Sequence, residues 1–188
     1  MRKNLTFLIL NFCFFTLAQN LNLRNAIDKS LEFPQEIHKT DILLIYETNG
    51  GWSAYDYVNY YFIDTNGNVS SYSEEKPKAY LNNEKLKRTI KKIDLNQEKK
   101  DRIIQIIFSK EVSELLKYLQ KDFVTKVKEN LPPPCFISDA SGYKLTFIQN
   151  NKQNSYNYYA PKIMYEKCSH KTINKIMLKK FIEVLDLF

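Results

Sequence analysis

The chain has 188 residues, a formal net charge of +7, three cysteines, two histidines and four glycines. That length supports one domain with a substantial core, while so few glycines and histidines leave little for a glycine-rich phosphate loop or a histidine-rich metal centre. The positive charge does not by itself indicate nucleic acid, because the cations are 24 lysines against 4 arginines, and bidentate contacts to bases and phosphates favour arginine.

The N-terminus reads "MRKNLTFLILNFCFFTLAQN". Arg2 and Lys3 precede a mostly apolar run over residues 5–17, and Thr16 and Ala18 stand at the small-residue positions of a signal-peptidase site. This is the anatomy of a secretory signal peptide over residues 1–18, cut after Ala18 or Gln19, and the run is too short to span a bilayer. Residues 19–188 are then one mature domain, exported to the periplasm or the medium and carrying no transmembrane segment. Cleavage removes Arg2, Lys3 and Cys13, which lowers the formal charge from +7 to +5 and leaves two cysteines, Cys135 and Cys168. In an oxidising compartment the simplest reading of that pair is a disulfide. A thiol at Cys168 assisted by His170, or two buried free thiols, are the other readings.

Residues 22–33 have Leu23, Ala26, Ile27 and Leu31 at helical spacing, and Pro34 ends that short helix. Residues 41–48, "DILLIYET", form an apolar run of strand length. Residues 54–73 read as two strands around Asn66-Gly67, a dipeptide suited to a tight hairpin turn in which both positions take positive φ. Residues 83–93 predict a helix with Leu86, Ile90 and Ile93 on one face. Asn96 is placed to cap a helix over 97–108, and Ser109 to cap another over 111–127, whose stripe is Val112, Leu115, Leu116, Leu119, Phe123 and Val127. The prolines of "NLPPPC" stop it. Residues 143–149 and 155–161 flank the polar loop "NNKQN" as a second hairpin, and Ser169 starts a final helix that buries Ile173, Ile176, Met177, Phe181, Val184, Leu185 and Phe188. Strands and helices are segregated, so the expected fold is a single α+β domain: an antiparallel sheet of two hairpins plus one strand, packed against several amphipathic helices.

An apolar strand, "NGGW" at 49–52, an aromatic strand with its "NG" turn, and lysine-rich helices follow one another over about half the chain. This arrangement resembles small exported proteins of unknown function from Gram-negative bacteria. The resemblance implies an envelope or extracellular α+β domain and carries no activity with it.

Little in the chain points to catalysis. There is no His-x-x-x-His, Cys-x-x-Cys or G-x-S-x-G spacing, so neither a metal nor another cofactor is expected. "DTNGN" begins like a calcium loop but lacks the closing acid, and its turn character prevails. Carboxylates near the aromatic strands, Glu47, Asp56, Asp64 and Glu166, leave a small envelope hydrolase as the alternative function. The cations from Lys85 to Arg102 alternate with acids and read as a solvated helix face.

Tyrosine is abundant, yet residues with AT-rich codons (Phe, Tyr, Met, Ile, Asn, Lys) make up 88 of the 188, so clusters are judged by geometry. In "YDYVNYYFI" alternation puts Tyr55, Tyr57, Tyr61 and Ile63 on one face and Val58, Tyr60 and Phe62 on the other. A five-residue loop in the second hairpin pairs Gln149 with Ser155 and Leu145 with Tyr159. Tyr159 then faces the core, and Tyr156 and Tyr158 face away from it. Trp52, Tyr55, Tyr57, Tyr156 and Tyr158 are therefore the candidate binding residues, on an open tyrosine-rich sheet face suited to a protein or an envelope polysaccharide. The expected function is non-enzymatic binding.

Overall fold

The computed structural model describes residues 20–81, 85–126 and 135–188. The segment read as a signal peptide, the prolines of the connector, Val127 and the start of the helix expected at 83–93 lie outside them. The chain is α+β, built on one seven-stranded antiparallel sheet. Its strands are β1 (Asn25–Ala26), β2 (Ile42–Gly50), β3 (Tyr55–Ile63), β4 (Val69–Pro77), β5 (Thr89–Ile93), β6 (Ser141–Gln149) and β7 (Lys152–Tyr159), in the spatial order β1-β7-β6-β2-β3-β4-β5. The helices are α1 (Gln97–Ile107), α2 (Lys110–Leu115), α3 (Pro161–Lys167) and α4 (Lys175–Leu185), with a 3-10 turn at Gln120–Phe123.

The apolar run Ile42–Ile45 becomes the central strand because both of its faces are buried. Ile42 and Leu44 join the core under the helices, with Ile63, Leu145, Phe147, Val112, Leu115, Phe123, Met177 and Phe181. Leu43 and Ile45 face the other way and join Val58, Tyr60, Phe62 and Ile148. This second core is covered by a strap without regular structure, residues 27–37, through Ile27, Leu31, Phe33 and Ile37.

The strap replaces the expected helix over 22–33. A helix there would put its apolar residues on one side. Here Leu23 enters the helix-side core and Ile27 and Leu31 enter the strap-side core, so the segment must wrap the β7 edge. An Asx turn, in which Ser30 N–H donates to Asp28 Oδ1 at 2.9 Å, sets the bend.

Residues 89–93 are likewise strand rather than helix. Thr89, Ile90 and Ile93 suit a pleated surface, and β4 offers a free ladder that an isolated helix cannot match. Lys91 and Lys92 keep this outer edge charged. The expected five-strand sheet thus gains β1 and β5.

The helix at 97–107 is present with its cap, Lys99 N–H donating to Asn96 Oδ1 at 3.0 Å. Ser109 caps α2 through Val112 N–H, but α2 ends at Leu115 instead of running to Val127. Gln120 explains the break. Its amide nitrogen donates to Asn157 O at 2.9 Å and its oxygen accepts from Asn157 N–H at 2.7 Å. The chain is thereby drawn to the β7 edge, and Val124 bridges Ile173. The final helix starts at Asn174, whose side chain accepts from Met177 N–H, rather than at Ser169. Ile176, expected inside, is 67% exposed. The short α3 was not foreseen; Ala160 takes φ 48° and Pro161 opens the helix at its first position.

Two turns differ from their expected chemistry. Asn66-Gly67 is not a two-residue turn, because only Gly67 has positive φ. A five-residue loop links Ile63 to Val69, and Asp64 closes it by accepting from Asn66 N–H, Asn68 N–H and Asn68 Nδ2. The β6–β7 hairpin, conversely, is tight. Asn150 and Asn151 have φ of 54° and 58°, the geometry of a type I′ turn, and Gln149 pairs with Lys152.

Cys135 and Cys168 form a disulfide that ties the segment entering β6 to the end of α3. No described helix is long and apolar enough to cross a membrane.

Candidate functional site

The tight turn moves the β7 register by three residues from the expected one, and an odd shift exchanges the faces. Leu145 therefore stands opposite Tyr156, not Tyr159. Tyr156 is fully buried under the helices, where its hydroxyl reaches Tyr118 O at 2.9 Å and Leu115 O at 3.2 Å. Burial pushes its phenol pKa up to about 12. Tyr158 is half-buried, its ring 4.9 Å from that of Phe123. Tyr159 is the exposed one, at 40%. Tyr156 therefore cannot meet a partner, and the open tyrosine face expected over this hairpin is an internal layer.

The pairing does bring tyrosines from both hairpins into one row: Tyr57, Thr48, Tyr143 and Tyr158 lie side by side across β3, β2, β6 and β7. Helices cover the Tyr158 end of this row. Tyr57, at the other end, is exposed, and Tyr55 is half-buried.

Exposed aromatic surface gathers instead at one end of the sheet. Trp52 projects from the β2–β3 tip and is 91% exposed. Tyr80 and Leu81 follow the end of β4, Tyr159 ends β7, and Ile163 lies in the first turn of α3; all are exposed. The ladders place these segments together, since Gly50 pairs with Ser141, Tyr55 with Pro77 and Gly142 with Tyr159. Phe136, also fully solvent-facing, sits next to the disulfide on the segment leading into β6.

This end is held by buried polar contacts. Lys78 is buried, and its ammonium donates to Gly50 O at 2.9 Å and to Gly51 O at 3.1 Å. A buried cation of this kind fixes the tip carbonyls that a short hairpin leaves unpaired. Gly50 has φ 90°, and a Cβ there would lie 2.7 Å from Ala140 O, so a side chain would push the tip away from β6. Ala140 N–H in turn donates to the Tyr159 hydroxyl at 2.9 Å.

On the strap side of the sheet there is a cleft of about 320 Å³. Its floor is Ile45, Val58 and Tyr60, and Leu31 and Phe33 of the strap form one wall. Three carboxylates and three cations rim it: Glu32, Glu47 and Glu74 with Lys76, Arg88 and Lys144. The ladder sets Lys144, Glu47, Val58 and Glu74 in one row across β6, β2, β3 and β4. Glu74 is buried with both oxygens occupied. Oε2 accepts from the Tyr60 hydroxyl at 2.5 Å and Oε1 from Arg88 Nε at 2.5 Å. Arg88 continues to Glu32 at 2.7 Å, tying β5 to the strap. The hydrogen bonds to Glu74 and Glu32 hold the guanidinium firmly protonated. Burial, followed by the bond to Glu74, raises the Tyr60 phenol pKa well above its usual value. Glu47 has a looser partner, Lys144 at 3.6 Å. On the adjoining stretch of β3, burial and then the Glu47 charge raise the Asp56 pKa.

Of these rim groups only Glu47 was anticipated as functional, with Asp56 beside it. Arg88 was assigned to a solvated helix face; its rarity, one of four arginines among 24 lysines, was the available signal. Glu74, Lys76 and Lys144 carry no local signature, because only the strand pairing brings them together. Asp64 is used in its loop. Cys168 is in the disulfide and so cannot act as a thiol with His170, which bonds Thr172. Among the described residues no three His, Cys, Asp or Glu side chains cluster as a metal site.

No family model matches the chain and no curated protein resembles it.

Proposed function

We propose that this chain is an exported, non-enzymatic binding protein whose partner is another protein, docked on the aromatic end of the sheet. The observation that carries this reading is the gathering of Trp52, Tyr57, Tyr80 and Tyr159, with Leu81 and Ile163, at that one end, on loops anchored by Lys78 and by Tyr159. Exposed apolar side chains scattered singly need no explanation, whereas these project from the same end of five adjacent strands. Tryptophan and tyrosine are the residues that most often dominate protein interfaces, and rigid presentation lowers the entropy lost on binding. The patch draws on three separate stretches of chain, 52–57, 80–81 and 159–163, a breadth suited to a protein surface rather than a small ligand. The disulfide and the signal-like N-terminus support export.

A second reading, hydrolysis by paired carboxylates, is favoured by one observation: Glu47 and Glu74 line the same cleft. It is the weaker reading because both Glu74 oxygens are engaged by Tyr60 and Arg88. The other carboxylate lining the cleft, Glu32, is ion-paired to Arg88, and Asp56, whose pKa the Glu47 charge helps raise, is not among the residues lining the cleft.

The test is capture of partners from cell-surface extract by the mature chain, compared with the Trp52→Ala/Tyr80→Ala double variant. The same protein should be recovered by the mature chain and lost by the variant, at equal thermal stability. Equal recovery by both would remove the aromatic end as the docking site.

A further inference from the structure

The cleft under the strap has a composition the aromatic end lacks. Its three carboxylates and three cations leave it with no net charge, so it offers little long-range attraction to an ion of either sign. Its floor is apolar, from Ile45, Val58 and the Tyr60 ring. Glu47 and Glu74 stand on either side of Val58, two strand spacings apart, which is roughly 9–10 Å between backbones. Each carboxylate has its cation on the outer side: Lys144 lies one strand beyond Glu47, and Arg88 lies just before the β5 edge beyond Glu74. The volume, about 320 Å³, is at the small end of the range for ligand sites.

We infer that this cleft is a binding site for a neutral saccharide, a mono- or disaccharide unit, with Glu47, Lys76 and Arg88 as its hydrogen-bonding rim and Val58 and Tyr60 beneath the sugar ring. An uncharged polyhydroxy ligand matches a charge-balanced rim, because its hydroxyls donate to Glu47 and accept from Lys76 and from the Arg88 N–H groups left outside its two ion pairs. Its C–H face matches the apolar floor. Glu74 positions Arg88 and does not itself touch the sugar, since its two oxygens already accept from Tyr60 and Arg88. The site lies on the strap side of the sheet, whereas Trp52 and Tyr80 project from its end.

The experiment is a ¹⁵N–¹H correlation titration of the mature chain with maltose and with chitobiose, using glycylglycine as the zwitterionic comparison. One of the two sugars should shift the amides of Ile45, Glu47, Val58 and Glu74 in the millimolar range. Glu47→Gln and Lys76→Gln, whose spectra themselves report an intact fold, should each weaken that response about tenfold, as expected for one charge-assisted hydrogen bond. Trp52→Ala should leave it unchanged. A response to glycylglycine in place of the sugars, sugar-induced shifts confined to the region of Trp52 and Tyr80, or no shift with either sugar would each overturn the assignment.

Discussion

Tyr156 stands directly opposite Leu145 in the β6–β7 ladder, and both side chains are sealed beneath the helices. The Tyr156 hydroxyl donates toward the carbonyls of Leu115 and Tyr118 and accepts from Asn154 Nδ2 at 3.1 Å, so it fastens the end of α2 to β7. Tyr156→Phe should cost about 1–3 kcal/mol, because it leaves buried polar groups unpaired, and Tyr156→Ala about 3–5 kcal/mol through the added cavity. Urea denaturation measures both. A Tyr156→Ala chain as stable as the parent would contradict this packing.

Glu74 depends on Arg88 in a comparable way. Arg88→Ala leaves a buried carboxylate with only the Tyr60 hydroxyl, and it frees the strap from β5. Loss of one partner of a fully buried pair costs about 3–5 kcal/mol. Arg88 is 40% exposed, so solvent screening lowers the expected loss to about 1–3 kcal/mol. Lys should not restore it, since Arg88 serves two carboxylates with a fork that an ammonium lacks. Chemical denaturation of Arg88→Ala and Arg88→Lys tests this.

Asp56 predicts a pH dependence of a definite sign. Its folded pKa lies above the ordinary 3.8, from burial first and the Glu47 charge second. An acid with a raised folded pKa destabilises the fold at neutral pH. The penalty is relieved as pH falls through the folded pKa toward 3.8, where the unfolded chain also protonates. Asp56→Asn should therefore raise the melting temperature at pH 7, and the gain should vanish once the pH is below about 3.8. A gain independent of pH would show that charge is not the cause.

The disulfide closes a segment with a sequence separation of 33 residues. Replacing Cys135 and Cys168 by serine should cost about 3–4 kcal/mol in the chain-entropy account. Urea denaturation of the double variant against the disulfide-bonded parent checks it; equal stability would show that the crosslink contributes nothing.

Lys78 links stability to presentation. Lys78→Met removes the donors that hold Gly50 O and Gly51 O, together with the ammonium 6.0 Å from the centre of the Tyr80 ring, and leaves every exposed aromatic residue in the chain. Hydrogen exchange of the residues around Trp52 should quicken, and partner capture should weaken while Trp52 stays in place. Unchanged exchange would mean the tip is fixed by its backbone pairing alone.

Local chemistry in the sequence was enough to determine several features. The caps at Asn96 and Ser109 were legible because their bonds reach only three residues ahead, although the same signal at Ser169 does not start a helix. The apolar run at 42–45 has the length of a strand, alternation sorts Tyr57 from Val58, and Cys135 and Cys168 pair as the simplest reading of the two expects. The α+β class follows from the segregation of strand and helix patterns.

Tertiary structure decided the rest. Residues 89–93 follow a helical spacing that loses to a vacant ladder on β4, and the helix begun at Lys110 stops at Leu115 because Gln120 satisfies the edge of β7. The faces of the second hairpin turned on a turn two residues long instead of five, since an odd shift in register exchanges inside for outside. Lys78, Glu74 and Arg88 come from segments that meet only when strands pair, so no spacing along the chain announces them. Periodicity names the faces of an element, but only its neighbours decide which face meets water.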